Sequence, residues 1–203
     1  MAVSTDVSKA QSRFQRITKQ LLRNRRAVVG GIILLVIITM AIFAPYAATH
    51  DPVKQNIRNQ LKPPSREHIF GTDQFGRDIF SRVVYGARLS LRVGFLSISF
   101  ALVVGGLLGL VSGYFGGWME MIIMRLIDIL LALPGFLLAL AIVAALGPGL
   151  ENVVMAIGVS YVPSFARMMR SSVLATRELD YVGAAQALGA SDSRIIFLHI
   201  LPN

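Results

Sequence analysis

The sequence predicts an all-α fold, a polytopic bundle of transmembrane helices, on three observations. Of its 203 residues 54% are apolar and only 15% are charged, where a soluble domain carries about a quarter charged residues. The charges sit at the ends of long apolar runs instead of being dispersed with helix or strand periodicity. Three of those runs exceed the about 20 residues a helix needs to cross ~30 Å of hydrocarbon, and a fourth falls just short.

Residues 1–26 form a basic N-terminus in which Lys9, Arg13, Arg16, Lys19, Arg23, Arg25 and Arg26 are opposed only by Asp6. Such a cluster ahead of an apolar run holds a terminus in the cytoplasm and meets anionic lipid. The formal net charge of +9 therefore points to a membrane surface and not to nucleic acid. Residues 27–48 are uncharged for 22 positions. That is too long for the apolar core of a signal peptide, so they form the first span.

Residues 49–92 are then an outer connector. Pro52, Pro63 and Pro64 favour an extended path at its start. Positions 71–78 read Gly-Thr-Asp-Gln-Phe-Gly-Arg-Asp, a turn-rich segment in which Asp73 or Asp78 either caps the following helix or contacts a ligand. From 77 to 92 the apolar Phe80, Val83, Val84, Ala87 and Leu91 recur at helical spacing, with Arg82, Arg88 and Arg92 between them. This predicts an amphipathic helix lying along the interface. It also accommodates part of a basic surplus: the outer connector holds eight Lys/Arg, more than the positive-inside rule favours.

The transmembrane domain, 93–203, follows. Residues 93–119 are uncharged for 27 positions and 129–150 for 22, giving spans two and three. Residues 152–166 number only 15 and reach span length if Met168 and Met169 join them while Arg167 snorkels to the head groups. Gly105, Gly109 and Gly113 make two G-x-x-x-G steps on one helix face, where another helix can approach closely. Arg125 and Asp128, three apart before span three, are an intramembrane charge pair that can neutralise itself on one helix face. Pro134-Gly135 predicts a kink in span three, and Pro163 another in span four.

Several chemistries are excluded. There is no Cys, hence no disulfide framework, thiolate metal site or thiol nucleophile. None of the four lysines, Lys9, Lys19, Lys54 and Lys62, follows a glycine, so no Walker A loop exists. His50, His68 and His199 are scattered without metal-ligand spacing, which predicts no metal site. No G-x-S-x-G elbow is present, and no catalytic residue is assigned. Polar side chains in the spans are too few for an ion filter or a proton relay, which leaves a weakly specific pathway.

Residues 171–203 form the last inner segment. A short helix of small residues runs through Glu178, Asp180, Gly183, Ala184 and Ala185 and stops at Gly189. Ser191 or Asp192 caps a second, apolar helix carrying Ile195, Ile196, Phe197, Leu198 and Ile200. A small-surfaced helix backed by an apolar one is shaped to dock into another protein's groove; the plain alternative is a connector between spans.

The run Tyr181-Val182-Gly183-Ala184-Ala185-x-x-x-Gly189, with His199-Ile200-Leu201-Pro202-Asn203, resembles the EAA loop of binding-protein-dependent ABC importer permeases. The 71–78 segment, Tyr85-Gly86-Ala87-Arg88-x-Ser90-Leu91, Gly113-Tyr114-Phe115-Gly116-Gly117-Trp118 and Gly147-Pro148-Gly149-Leu150 resemble its dipeptide/oligopeptide/nickel branch, over roughly residues 15–203. The resemblance implies the type I ABC importer permease fold, in a multi-pass protein of the cell inner membrane. It implies that the loop is the coupling helix of an importer of di- or oligopeptides, with nickel or another small solute as the second choice. Implied partners are a second homologous permease subunit, two ATP-binding cassette subunits and an external solute-binding protein. ATP and Mg are used by those cassettes, and this chain binds no cofactor. Gly183 stands where the family usually has glutamate, leaving Glu178 and Asp180 as the nearby acids. The family also has further spans beyond the loop, so a C-terminally shortened chain is expected. The competing readings are a non-transporting remnant and a self-sufficient carrier or channel, which would need internal repeats and mid-bilayer ionisable residues.

Overall fold

The structure, a computed structural model, describes residues 23–203; Asp6, Lys9, Arg13, Arg16 and Lys19 of the basic cluster lie outside them. The described residues are helical and without strands, as the composition requires. Asn24 caps α1 (Arg25–Ile42), its side chain accepting from the backbone of Arg26 and Ala27, and the short α2 (Ala44–Ala47) extends the same run. Then come α3 (Ile79–Phe115), α4 (Gly117–Leu131), α5 (Gly135–Leu146), α6 (Leu150–Arg177), α7 (Asp180–Ala187) and α8 (Asp192–Ile195), the last running on as a π-helical turn through Ile200. The chain divides into two compact units, Met1–Leu91 and Arg92–Asn203.

α3 corrects one expectation. The predicted interfacial helix and the second span form one continuous helix of 37 residues, because nothing between 79 and 115 breaks a helix. The break comes at Gly116 and Gly117, both with positive φ, which assigns Trp118 and Met119 to the next helix. The third span is not a single helix either. Pro134 separates α4 from α5, and their axes are bent by 87°. Pro163, by contrast, is buried inside an α6 that continues through it. α1 and α3 are long and apolar enough to cross a membrane, and the bent pair counts as a third span if taken as one. α6, at 28 residues and ~1.5 Å per residue, also has the length to cross, but it carries Glu151, Arg167 and Arg170.

In the second unit α3 and α6 lie side by side with their numbers rising together. A Cβ on Gly105, Gly109 or Gly113 would stand 2.6, 2.3 and 3.0 Å from the carbonyl oxygens of Val162, Ala166 and Arg170. The buried Ser97 hydroxyl donates to the Val154 carbonyl at 2.9 Å. Each contact joins residues at the same sequence offset, so the two helices are parallel. The α4–α5 pair must therefore bring the chain back between them, which makes it one return crossing despite its bend. Gly158 on α6 is equally tight, since a Cβ there would meet the Phe100 ring at 2.7 Å. Ala101, Ile127, Val162 and Ala166 form the buried core where α3, α4 and α6 meet. Asn152 closes the 147–149 turn, its amide donating to the Leu146 and Gly147 carbonyls at 3.0 and 3.1 Å.

Candidate functional site

The loop after α6 is built onto the ends of α3 and α6. Leu110 and Tyr114 from α3, Val173 from α6, Val182 from α7, and Ile195 and Ile200 from the last helix form one buried cluster. Polar bonds reinforce it. The Arg177 guanidinium donates to the Tyr114 carbonyl at 2.8 Å, and the Tyr114 hydroxyl donates to the Asp192 carboxylate at 2.6 Å. Further along, the Tyr181 hydroxyl donates to the His199 carbonyl at 3.0 Å and accepts from the Asn203 amide at 2.6 Å. Tyr114 and Arg177, absent from the sequence-based site, are thus its main fixings. The signal available for them was only that a Tyr and an Arg stand at the ends of two apolar runs.

α7 itself is short and small-surfaced. Asp180 sits in its first turn, where a carboxylate favours the helix dipole, and Glu178 is the C-cap of α6. Val182 alone is fully buried; Gly183, Ala184 and Gln186 face outward, and Leu188 is 88% exposed. Nothing lies within 4 Å of a Cβ built on Gly183. The helix ends in a Schellman motif: the Gly189 amide donates to the Gln186 carbonyl and the Ala190 amide to the Ala185 carbonyl. Gly189 takes φ +78 there, a left-handed conformation that glycine adopts without strain. Ser191 occupies the next N-cap without a side-chain capping bond, since Asp192 turns instead to Tyr114.

The predicted Arg125–Asp128 pair does not form. The Asp128 carboxylate is held by the Arg167 guanidinium of α6 at 2.7 Å, and Arg125 has no ion-pair partner among the described residues. Pairing across helices joins two elements, which a pair on one helix face does not. A second bridge links Glu120 on α4 to Arg170 on α6, with Arg170 Nε at 2.8 Å. The two bridges line a cleft of about 530 Å³. A larger apolar cavity of about 870 Å³ lies along α5 and α6, bounded by Leu131, Phe136, Leu140, Val153, Ile157 and Tyr161 among others.

In the first unit the 71–78 segment is a folded clamp, and both its acids are held by hydrogen bonds within that unit. Gly71 and Gly76 have positive φ, and a Cβ on either would strike the Lys62 or Asn56 carbonyl at 2.5 or 1.8 Å. Asp78 caps α3: its carboxylate accepts from the Ser81 amide at 2.8 Å and from His68 Nδ1 at 3.0 Å. Burial works to raise its pKa, but the Ser81 amide and hydroxyl, His68 and His50 outweigh that and hold it below its usual value. Burial likewise opposes ionisation of Asp73. Against it, the backbone amides of Arg77 and Phe75 and the Arg77 guanidinium hold that carboxyl down at about 2. The histidines are not scattered in space, contrary to the sequence-based expectation: His50 and His68 converge on Asp78 with ligand atoms within 4.8 Å of one another.

Residues 105–203 match the family described as binding-protein-dependent transport system inner membrane component. Residues 12–64 match the N-terminal TM domain of oligopeptide transport permease C. The chain is 52% identical over 194 residues to a dipeptide transport system permease protein of Alkalihalophilus pseudofirmus, covering 96% of this chain and 64% of the relative. It is 42% identical over 185 residues to a glutathione transport system permease protein of Pectobacterium atrosepticum, covering 91% and 62%. It is 43% identical over 176 residues to a probable D,D-dipeptide transport system permease protein of Escherichia coli, covering 87% and 59%. The chain thus spans a little under two thirds of the length of these relatives. On these matches and on the helical membrane fold that underlies them, the chain belongs to the family of binding-protein-dependent transport system inner membrane components, the permeases of ABC importers.

Proposed function

We propose that the chain is a permease subunit of an ATP-driven importer carrying di- or oligopeptides across the cytoplasmic membrane. The observation that carries the reading is α7: an exposed, small-residue helix held by Val182 in a buried apolar cluster with the ends of two long helices, which Arg177 ties to each other and Tyr114 ties to α8 just beyond it. A helix mounted in this way transmits a push to both of its supports. α7 docks into a cleft of a cytoplasmic ATPase subunit, and nucleotide-driven closure of an ATPase pair rocks α3 and α6. The N-terminus lies in the cytoplasm. A second permease subunit completes the pathway, an external binding protein delivers the solute, and ATP with Mg is used by the ATPase subunits. The relatives' peptide, dipeptide and glutathione names support short peptides as the solute class.

The test is co-purification with co-expressed ATPase subunits. Gly183→Trp fills open space beside α7 without touching its core, so it abolishes association while leaving thermal unfolding of the chain unchanged. Association that survives the tryptophan removes α7 as the docking element. Gly189 is a less clean site, because any side chain there also strains the turn that ends α7.

A further inference from the structure

We propose that His50, His68 and Asp78 form a binding site for a divalent transition-metal ion, held in the connector between α2 and α3 and separate from the coupling loop. One nitrogen from each histidine and one oxygen of the carboxylate lie within 4.8 Å of one another. Asp78 Oδ1 is 3.0 Å from His68 Nδ1 and 4.0 Å from His50 Nδ1. Ligands bound tetrahedrally at about 2.0–2.2 Å stand roughly 3.3 Å apart, so the widest separation in the cluster has to close by about 1.5 Å.

Burial and exposure are divided as a metal site needs. His68 and Asp78 are 4% and 2% exposed and fixed in place, Asp78 by its cap on α3 and His68 by Asp78. The His50 ring is 38% exposed, stacks on His68 with centroids 4.7 Å apart, and lines an open cleft of about 470 Å³ that also holds Asp51 and Tyr85. It is the movable ligand, and the cleft admits ion and water.

The chemistry also selects the ion. In the metal-free protein the His68 Nδ1–H donates to the Asp78 carboxylate, which only accepts when ionised. An ion seated between Nδ1 and Oδ1 takes the Nδ1 lone pair, with the ring proton carried on Nε2, which has no other hydrogen-bond partner in the interior. Two imidazoles and one carboxylate suit Zn²⁺, Co²⁺ or Ni²⁺; Ca²⁺ and Mg²⁺ demand oxygen-rich shells. A bound ion ties together the exit of the first span, the connector and the start of α3.

The full chain, purified in detergent through a tag without histidine and stripped with chelator, is titrated with Co²⁺. One equivalent binds with visible d–d absorption, and Zn²⁺ abolishes that absorption. His50→Ala weakens binding at least about tenfold, with thermal unfolding of the metal-free variant unchanged. His50→Cys restores one equivalent and adds thiolate-to-cobalt charge transfer, unmistakable in a chain without native Cys. Wild-type protein that binds less than one equivalent, or His50→Ala that binds as wild type does, overturns the site.

Discussion

Gly109 has no room for a methyl group: a Cβ there would sit 2.3 Å from the Ala166 carbonyl and 2.8 Å from the Met169 Cβ, and neither neighbour is a flexible tip. Gly109→Ala must therefore push α3 off α6, an overpacking cost of about 1–3 kcal/mol. Thermal unfolding in detergent should show it, while Gly94→Ala, where nothing lies within 4 Å, leaves the midpoint unchanged or raises it. A second single-residue effect is electrostatic. The folded-state pKa of Asp73 lies at about 2, below its ordinary value of 3.8. Its contribution is thus present in full above pH ~4 and lost as pH falls towards ~2. Asp73→Asn lacks this dependence. Pepsin should cleave the variant's connector faster than the wild type's at pH 4, with the two rates converging by pH 2. A ratio independent of pH would mean that Asp73 acts through packing alone.

Tyr114 fastens α3 to α8, and Arg177 fastens α6 to α3 beneath it. Removing the hydroxyl in Tyr114→Phe deletes a bond to a charged acceptor, worth about 1.5–3 kcal/mol, towards the lower end because Asp192 faces solvent. Amide exchange should quicken across residues 192–200 and stay unchanged across 97–113. Equal quickening in both would show that the tyrosine supports the bundle generally and not the loop. Elements of this kind were only partly legible in the sequence. Spans announce themselves because apolarity is a local property, and α7 ends at Gly189 because glycine alone takes that φ freely. The division drawn at residue 92 was a change of composition, from arginine-bearing to uncharged, and composition does not break a helix. The charge pairing was misread for a related reason. Arg125 was the partner nearest Asp128 along the chain, whereas Arg167 is 39 residues away and Arg170 is 50 from Glu120. Only the packing of α4 on α6 brings them together, and the same dependence on folding hid the approach of His50 and His68 to Asp78.

At the scale of the transmembrane unit, the parallel register of α3 and α6 decides where the coupling loop stands. If α4 and α5, bent by 87°, merely dipped in and out of one face, then α3 and α6 would have to run in opposite directions. Their contacts at Ser97, Gly105, Gly109 and Gly113 keep one offset and exclude that. The bent pair therefore crosses, which puts the 116–117 and 147–149 turns on opposite faces of the membrane. α6, running parallel to α3, then carries the chain back, so that α7 lies opposite the 147–149 turn. A chain without cysteine lets this be measured with single introduced thiols. Pro148→Cys, in the exposed turn before α6, should react with a membrane-impermeant maleimide on intact cells. Ala184→Cys, exposed on α7, should react only after permeabilisation. If both thiols label from the same side, α6 does not cross the membrane, and the bundle drawn from its parallel packing with α3 is wrong. If both label as stated but with the sides exchanged, the packing stands and the proposed orientation falls, because α7 would then be out of reach of any cytoplasmic ATPase.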